Sequence, residues 1–460
     1  KHNLMEGPFA FIGHNSGISG DLGLNWQINE NHSLGMKMNY GGMLFGNQDI
    51  VFEDNVYAND ELIDIVHSTS HTTTPSSHTF TGNIYYDGNI NKLHVNFNAD
   101  FSDSGYKKET NVNESSQNDP AFIENLSDGV ARMGAGKLVL SYPIWKGMFK
   151  IGTEETYVSA KQEYNSTKTE IPSSKAKIAE NNISGFAEYA LPFKYVQVVA
   201  GIRYEHVNFE YTNECSPKDN INRTHNNWFP SFNASTKIGP VGINLGYTTK
   251  IKRPRYDQLS TEMQYNNRFL YQTGDPTLLN EIQNTLSLNA NWRWLTLTGA
   301  YEVVDNAIYQ LGYPYDDDCT AMVKYSNAKE TVRKLNIYLN ASPTVGIWNP
   351  RYTVGMEKQY FETTVIDPRE STGTRVVKRN DPMFFVQANN SFKLKQGWLI
   401  DLDYQYTSPF DYVMYKFTKP KHGLNLAVSK SFLKHDALNV RLAWNDILNK
   451  TKEHVCTDYG

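Results

Sequence analysis

Leu93-His94-Val95-Asn96-Phe97-Asn98-Ala99-Asp100-Phe101-Ser102 alternates apolar and polar side chains without a break. A period of two is the mark of a β-strand with two unlike faces. About eighteen segments of this kind run along the chain. They come in pairs, with tight turns on one side and long connections on the other. Such a pattern, repeated over a whole chain with a wet second face, is that of an antiparallel β-barrel in a membrane.

Moving outward from Leu93, nine hairpins can be read. Leu22–Ile28 pairs with Leu34–Tyr40, Phe80–Tyr86 with the Leu93 strand, and Gly136–Tyr142 with Phe149 and Ile151. Gly185–Leu191 pairs with Val198–Tyr204, Phe232–Ile238 with Ile243–Tyr247, and Leu286–Trp294 with Leu297–Tyr301. Leu335–Ala341 pairs with Tyr352–Met356, Phe384–Leu394 with Trp398–Tyr406, and Leu424–Phe432 with Leu438–Trp444. Polar residues fill the alternate positions, such as Ser287, Asn289, Asn291 and Arg293, or Asp401, Asp403 and Gln405. A soluble sandwich also alternates, so one strand decides nothing. The asymmetry of the connections decides. Asn47–Ser77, Ser104–Val130, Ile251–Glu281 and Thr363–Asn380 read as long outer loops, and the opposite turns are short, as in outer-membrane barrels. Trp26, Trp145, Trp292, Trp294, Trp348 and Trp398 cluster near the short turns, where an interfacial girdle belongs.

Composition agrees. The 460 residues are 39% hydrophobic and 13% aromatic. Mean hydropathy is −0.55, which a barrel tolerates because only alternate residues meet lipid. No stretch approaches the ~18 consecutive apolar residues of a membrane helix. The net charge of −5 offers no footprint for nucleic acid. Cys215, Cys319 and Cys456 are too few for a disulfide scaffold. A Cys215–Cys319 bridge would suit an oxidising compartment, and three unbridged thiols are the simpler reading. No signal peptide opens the chain, and it ends inside what reads as a loop.

No catalytic signature is present: no Walker loop, no GxSxG, no HExxH. The chain therefore reads as a non-enzyme, and no cofactor is called for. His67, His71 and His78 share a polar stretch that would suit a metal, or be stray histidines in a Ser/Thr-rich loop. Asp316-Asp317-Asp318 offers carboxylates for Ca²⁺, or a solvated loop tip. Trp228, Tyr265, Tyr271, Tyr313 and Tyr315 read as outer-loop aromatics able to stack on a ligand or on one another.

One connection stands apart. Ile251-Lys252-Arg253-Pro254-Arg255-Tyr256-Asp257-Gln258-Leu259 leads to Tyr265-Asn266-Asn267, Tyr271 and Thr273-Gly274-Asp275-Pro276-Thr277-Leu278-Leu279-Asn280-Glu281. Two prolines stiffen it, and Gly-Asp-Pro doubles it back. It is expected to fold inward over the lumen, with its arginines meeting acids such as Asp401, Asp403 or Glu302. The ordinary alternative is a mobile outer loop. Arg253, Arg255, Tyr256, Tyr265, Tyr271 and Trp228 are the candidate substrate-binding residues.

This passage resembles the RP-x-Y-x-x-L…Y…GNP-x-L-x-P-E signature of the TonB-dependent receptor barrels of Bacteroidetes. Ser260-Thr261 stands for Asn-Pro, Asp275 for Asn, and Asn280 for Pro. Leu442-Ala443-Trp444-Asn445-Asp446-Ile447-Leu448-Asn449 is similar to that family's late D-[IL]-[FL]-N strand end. The resemblance implies a barrel of about 22 strands with an N-terminal plug that contacts a TonB-type energy-transducing partner. Residues 1–460 would then be one barrel domain without the plug, the first strands and the closing strand. It further implies uptake of a scarce nutrient across the outer membrane, with a surface lipoprotein as a candidate partner. A passive porin-like barrel and a secreted carbohydrate-binding β-protein are the rival readings.

Overall fold

The computed structural model describes residues 3–457 apart from 59, 117–119, 269, 316–320 and 368–369. Twenty strands form one antiparallel sheet. Two of them, Asn3–Glu6 and Thr374–Arg379, are short and pair only with the outer ends of longer strands. The other eighteen follow one another as a meander from Phe9–Asn29 to Leu438–Trp444. The nine hairpins read from alternation are all present. Their inner turns are tight: Glu30-Asn31, Asn91-Lys92, Trp145-Lys146, Gly239-Pro240 and Arg293-Trp294. Asn91, Trp145, Gly239 and Arg293 take positive φ there, which a turn following the right-handed twist of its strands requires.

The apolar face of each hairpin points outward. Leu24, Ile84, Phe101, Ile202, Leu245, Leu288, Ile337, Leu402 and Val440 are all exposed, although each belongs to a paired strand of the sheet. These are lipid contacts, and water would not tolerate so wide an apolar surface. On strand Ile221–Ile238 the outward residues are the even ones, from Ile238 at the inner turn to Trp228. That stretch, at ~3.3 Å per residue and a tilt of ~40°, covers about 25 Å, the height of an outer-membrane apolar band. Trp228 stacks on Tyr204 of the neighbouring strand with ring centroids 4.7 Å apart, and marks the outer boundary. Trp292 and Trp294, 6.5 Å apart, mark the inner one.

The expected outer loops differ from what folds. Asn47–Ser77 and Ser104–Val130 are largely strand: His32–Ala58 pairs with Glu61–Ile90, and Leu93–Ser115 with Ala121–Ile144. Thr363–Asn380 is a hairpin, its arms Phe361–Ile366 and Thr374–Arg379. Crossing the membrane takes only about 9–11 residues, so these strands rise well beyond it as a wall. The Ser/Thr-rich composition concealed the continued pairing, since Thr is itself a good strand former. Pro75 sits where a register shift between Thr73 and Ser76 reverses the inward parity, so that Val66 and Ser68 turn inward above it.

The apolar core lies inside this outer wall. Three buried clusters, containing for example Val112, Ile123 and Tyr164, then Ile178, Phe209 and Tyr211, then Val304, Phe361 and Val365, line the mouth. The two edges of the sheet, Phe9–Asn29 and Leu438–Trp444, share no ladder among the described residues. The antiparallel sheet of about eighteen long strands expected from the alternation is present, and it is not closed on itself in this structure.

Candidate functional site

The Ile251–Glu281 connection folds inward, against the clusters just named. Tyr256–Leu259 makes one helical turn, with Gln258 Oε1 accepting the Arg255 N–H at 2.9 Å. Gly-Asp-Pro brings the chain back onto that turn: Gly274 N–H donates to Ser260 O at 3.0 Å and Asp275 N–H to Gln258 O at 2.6 Å. A Cβ on Gly274 would lie 2.3 Å from Gln258 O and 2.4 Å from Ser260 O, so only glycine fits the approach. Asp275 Oδ1 then closes the turn by accepting Thr277 N–H at 2.8 Å.

Between these points Gln264–Asn267 and Leu270–Thr273 form a hairpin, and Leu270–Thr273 runs parallel to Ala321–Asn327 of the next outer connection. With Ile308–Pro314 they make a separate four-stranded sheet inside the mouth. This cap is fastened to the wall through buried polar groups. Glu114 accepts from Tyr265 Oη at 3.0 Å, Arg268 N–H at 3.0 Å and Arg268 Nε at 2.6 Å. Arg268 also lies 3.7 Å from Asp64. Tyr211 Oη and Thr261 Oγ1 hydrogen-bond at 3.1 Å, and Asn213 Nδ2 donates to Thr261 Oγ1 at 2.9 Å. Burial, and then the Glu114 charge, pushes the Tyr265 phenol well above its ordinary range.

The candidate residues separate on this geometry. Arg253 bridges cap and wall, pairing with Glu205 and reaching Glu180 at 3.2 Å. Its partners are therefore wall acids close to it, while Asp401 pairs with Arg441 at 3.2 Å and Glu302 with Lys334 at 3.7 Å. The expected partners Asp401, Asp403 and Glu302 belong to strands later in the chain than the ones Arg253 packs on. Arg255 is exposed and pairs with Asp257 at 2.7 Å. Tyr256 is half-buried beside Leu259 and lines a cavity. Tyr265 and Tyr271, each 4% exposed and 5.4 Å apart, hold the cap together. Trp228 is no loop residue: it is 61% exposed on the outward face of a strand, in the aromatic belt. Its parity with Phe232 was the sequence signal for this. Residues 316–320, with Asp316–Asp318 and Cys319, lie outside the described residues. His71 contacts Asp49 at 2.5 Å and His78 contacts Asp103 at 3.1 Å, and among the described residues no group of three metal-ligating side chains converges.

Two cavities flank the cap. One, of about 430 Å³, lies among Thr72, Thr110, Ser127, Gln162 and Tyr106, with Glu262 in its wall. Burial raises the Glu262 carboxyl to about 7, against the pull of Lys108 and of the Ser127 hydroxyl 3.4 Å away. The other, of about 320 Å³, lies between the cap and the strands carrying Glu180, Phe209 and Arg223. Sequence reading missed Arg223 and His225, whose odd numbers on the Ile221–Ile238 strand place them inward. Below, a chain of opposite charges descends the inner wall: Arg253 to Glu205, Arg203 between Glu205 at 3.3 Å and Glu154 at 3.2 Å, and Lys137 at 3.3 Å from Glu154. On the later strands Arg351, Gln387, Asn389, Asp401 and Asp403 line the same polar interior.

Exposed apolar strands, a polar interior and a folded mouth define a membrane barrel wall, and the sequence matches a family model described as an outer membrane protein beta-barrel family over residues 87–460. The chain belongs to that family. Its place is the outer membrane. No curated protein matches the sequence. Among solved structures, the copper transporter OprC superposes with a TM-score of 0.60 at 11% identity, covering 98% of this chain and 77% of that one. The FrpB iron transporter from Neisseria meningitidis (F3-3 variant) gives 0.55 at 11% identity, with 98% and 78% coverage. The siderophore receptor PirA from Pseudomonas aeruginosa gives 0.52 at 13% identity, with 97% and 77%. The fold expected from the resemblance to TonB-dependent receptor barrels is thus the fold shared with these outer-membrane receptor and transporter structures.

Proposed function

We propose that this outer-membrane protein is a receptor that captures a scarce nutrient at its outer mouth and admits it to the lumen. One observation carries the reading: two consecutive outer connections fold into the mouth as a sheet of their own, bound to the inner wall and flanked by cavities above a polar interior. Such a cap gives a receptor a rigid surface on which to place recognition groups. The relatives named for copper, iron and a siderophore share this fold and fit the same use.

Both edges of the sheet are unpaired among the described residues. Unpaired backbone groups in hydrocarbon are costly, so these edges would be covered in the membrane; a plug that engages a TonB-type partner belongs to the same proposal. A surface lipoprotein over the mouth belongs to the same proposal, and co-purification from the outer membrane tests it. For transport itself, a gene-deletion strain is grown in media each limiting one nutrient: iron, copper, heme, cobalamin or a glycan. The reading expects a defect in one medium, restored by the full-length gene and abolished again when the proton-motive force is collapsed. Uptake that persists without the proton-motive force would identify a passive channel instead.

A further inference from the structure

Arg223 and His225 stand two positions apart on one strand and so share its inward face. Arg223 carries five N–H donors. One Nη1–H donates to Thr277 O at 3.2 Å, and the guanidinium lies over the Phe209 ring, 4.7 Å from its centroid. Its Nε is buried with no acceptor, and among the described residues no carboxylate pairs with it. His225 Nε2 is likewise buried without a partner. Arg253 turns one edge to Glu205, while its buried Nε lies 3.2 Å from Glu180 without the alignment of a hydrogen bond. All three border the 320 Å³ cavity, as does Arg255, whose bond to Asp257 is exposed.

Buried donors left without acceptors are expensive, and proteins keep them where a ligand or water supplies the acceptors. Two inward guanidiniums and an imidazole match the lone pairs of an oxyanion, which a guanidinium grips in bidentate fashion. The remaining walls are the apolar or aromatic Phe209, Leu259 and Tyr256, the Asn280 amide, and the Glu180 carboxyl beside Arg253, whose burial raises it above its ordinary range and so favours its neutral form. The volume is at the small end of ligand pockets, below what a polymer needs.

We propose that this cavity is an anion-binding subsite for a small organic oxyanion, a carboxylate or a phosphate ester carried on an apolar body. The assignment deepens the receptor reading and rests on it for its biological use, while the binding itself is measurable alone. Carboxylate and phosphate share the chemistry, and separate probes distinguish them.

The test is calorimetric titration of the full-length protein in detergent with benzoate, phenylphosphate and neutral benzyl alcohol, at fixed ionic strength. The expected result is saturable one-to-one binding of one or both anions, none of benzyl alcohol, and at least a tenfold loss on Arg223→Gln. Whichever anion binds more tightly names the source. Arg255→Gln removes an exposed side chain and leaves the fold intact, so it keeps the test valid if Arg223→Gln fails to fold; a loss of several-fold is expected. Absence of anion binding at millimolar concentration, equal binding of benzyl alcohol, or unchanged affinity in the folded variants would overturn the proposal. Anion binding without nutrient uptake would overturn the transport reading and leave the subsite standing; uptake without anion binding would do the reverse.

Discussion

Replacing Glu114 by alanine should release the cap while leaving the membrane wall intact. Glu114 is 1% exposed and accepts three hydrogen bonds from the cap: Tyr265 Oη at 3.0 Å, Arg268 N–H at 3.0 Å and Arg268 Nε at 2.6 Å. Removing the carboxylate takes away the 2.6 Å partner of Arg268, which lies 3.7 Å from Asp64, and leaves a buried phenol without the acceptor it has in Glu114. Breaking a buried ion pair by deleting one partner costs about 3–5 kcal/mol. At ~1.4 kcal/mol per tenfold, the opening equilibrium of the cap should rise by roughly a hundredfold to a few thousandfold. Hydrogen exchange of peptides spanning Gln264–Thr273 reads that opening, and peptides spanning Glu281–Trp292 report the wall. Glu114→Gln keeps an acceptor oxygen but loses the charge, so its effect should fall in between. The reasoning fails if the cap stays as protected in Glu114→Ala as in the wild type, or if the wall strands lose protection together with the cap.

Other perturbations separate the remaining claims. Leu288→Arg places a charge on the lipid face near the midplane and should cost about 2–4 kcal/mol in unfolding from liposomes, whereas Asn289→Gln on the wet face should cost little; equal costs would refute the alternation. Gly274→Ala forces a Cβ to within 2.4 Å of two carbonyl oxygens and should loosen the cap by about 1–3 kcal/mol, seen as faster proteolysis within residues 255–280. The Glu262 carboxyl is raised to about 7, so folding of the cap takes up its proton. That stabilisation is complete below about pH 4.5 and is lost as pH rises through about 7, worth about 1–3 kcal/mol after allowance for partial exposure. Glu262→Gln should therefore flatten the pH dependence of cap exchange and protect the cap better than wild type above pH 7; an unchanged profile would count against it. An epitope tag inserted after Asp60 should be labelled on intact cells and one at Asn31 should not, and the reverse would invert the topology.

Each motif residue in the inward connection has a place in the cap. Arg253 ties it to the wall, Leu259 and Leu278 fill the core, Gly274 permits the close approach, and Glu281 Oε1 accepts the Ile308 N–H at 2.7 Å. The signature thus describes how the cap is built. In the late motif, Asp446 ends the last long strand: its N–H donates to Asn425 Oδ1 at 2.8 Å, and its Oδ2 accepts from Thr451 Oγ1 at 2.6 Å. Such turn-forming side chains can be recognised from residue type alone. The recognition groups cannot, because Arg223 and His225 look like ordinary polar positions in an alternating strand until the cap is laid against them.

The sequence by itself determined the strands, their order, their two faces and the side bearing the tight turns. Those features are local: a period of two states which residues meet lipid, and a two-residue turn can join only antiparallel neighbours. Trp228 was legible on the same grounds, since its parity with Phe232 places it outside. The tertiary structure alone decided how far the wall rises, that two outer connections fold into one sheet, and which acids Arg253 meets. Glu114 lies 154 residues from Arg268 in the chain, and Glu205 lies 48 from Arg253. No periodicity carries information across such separations; only the curvature of the sheet, which brings distant inward faces around one mouth, makes those residues neighbours.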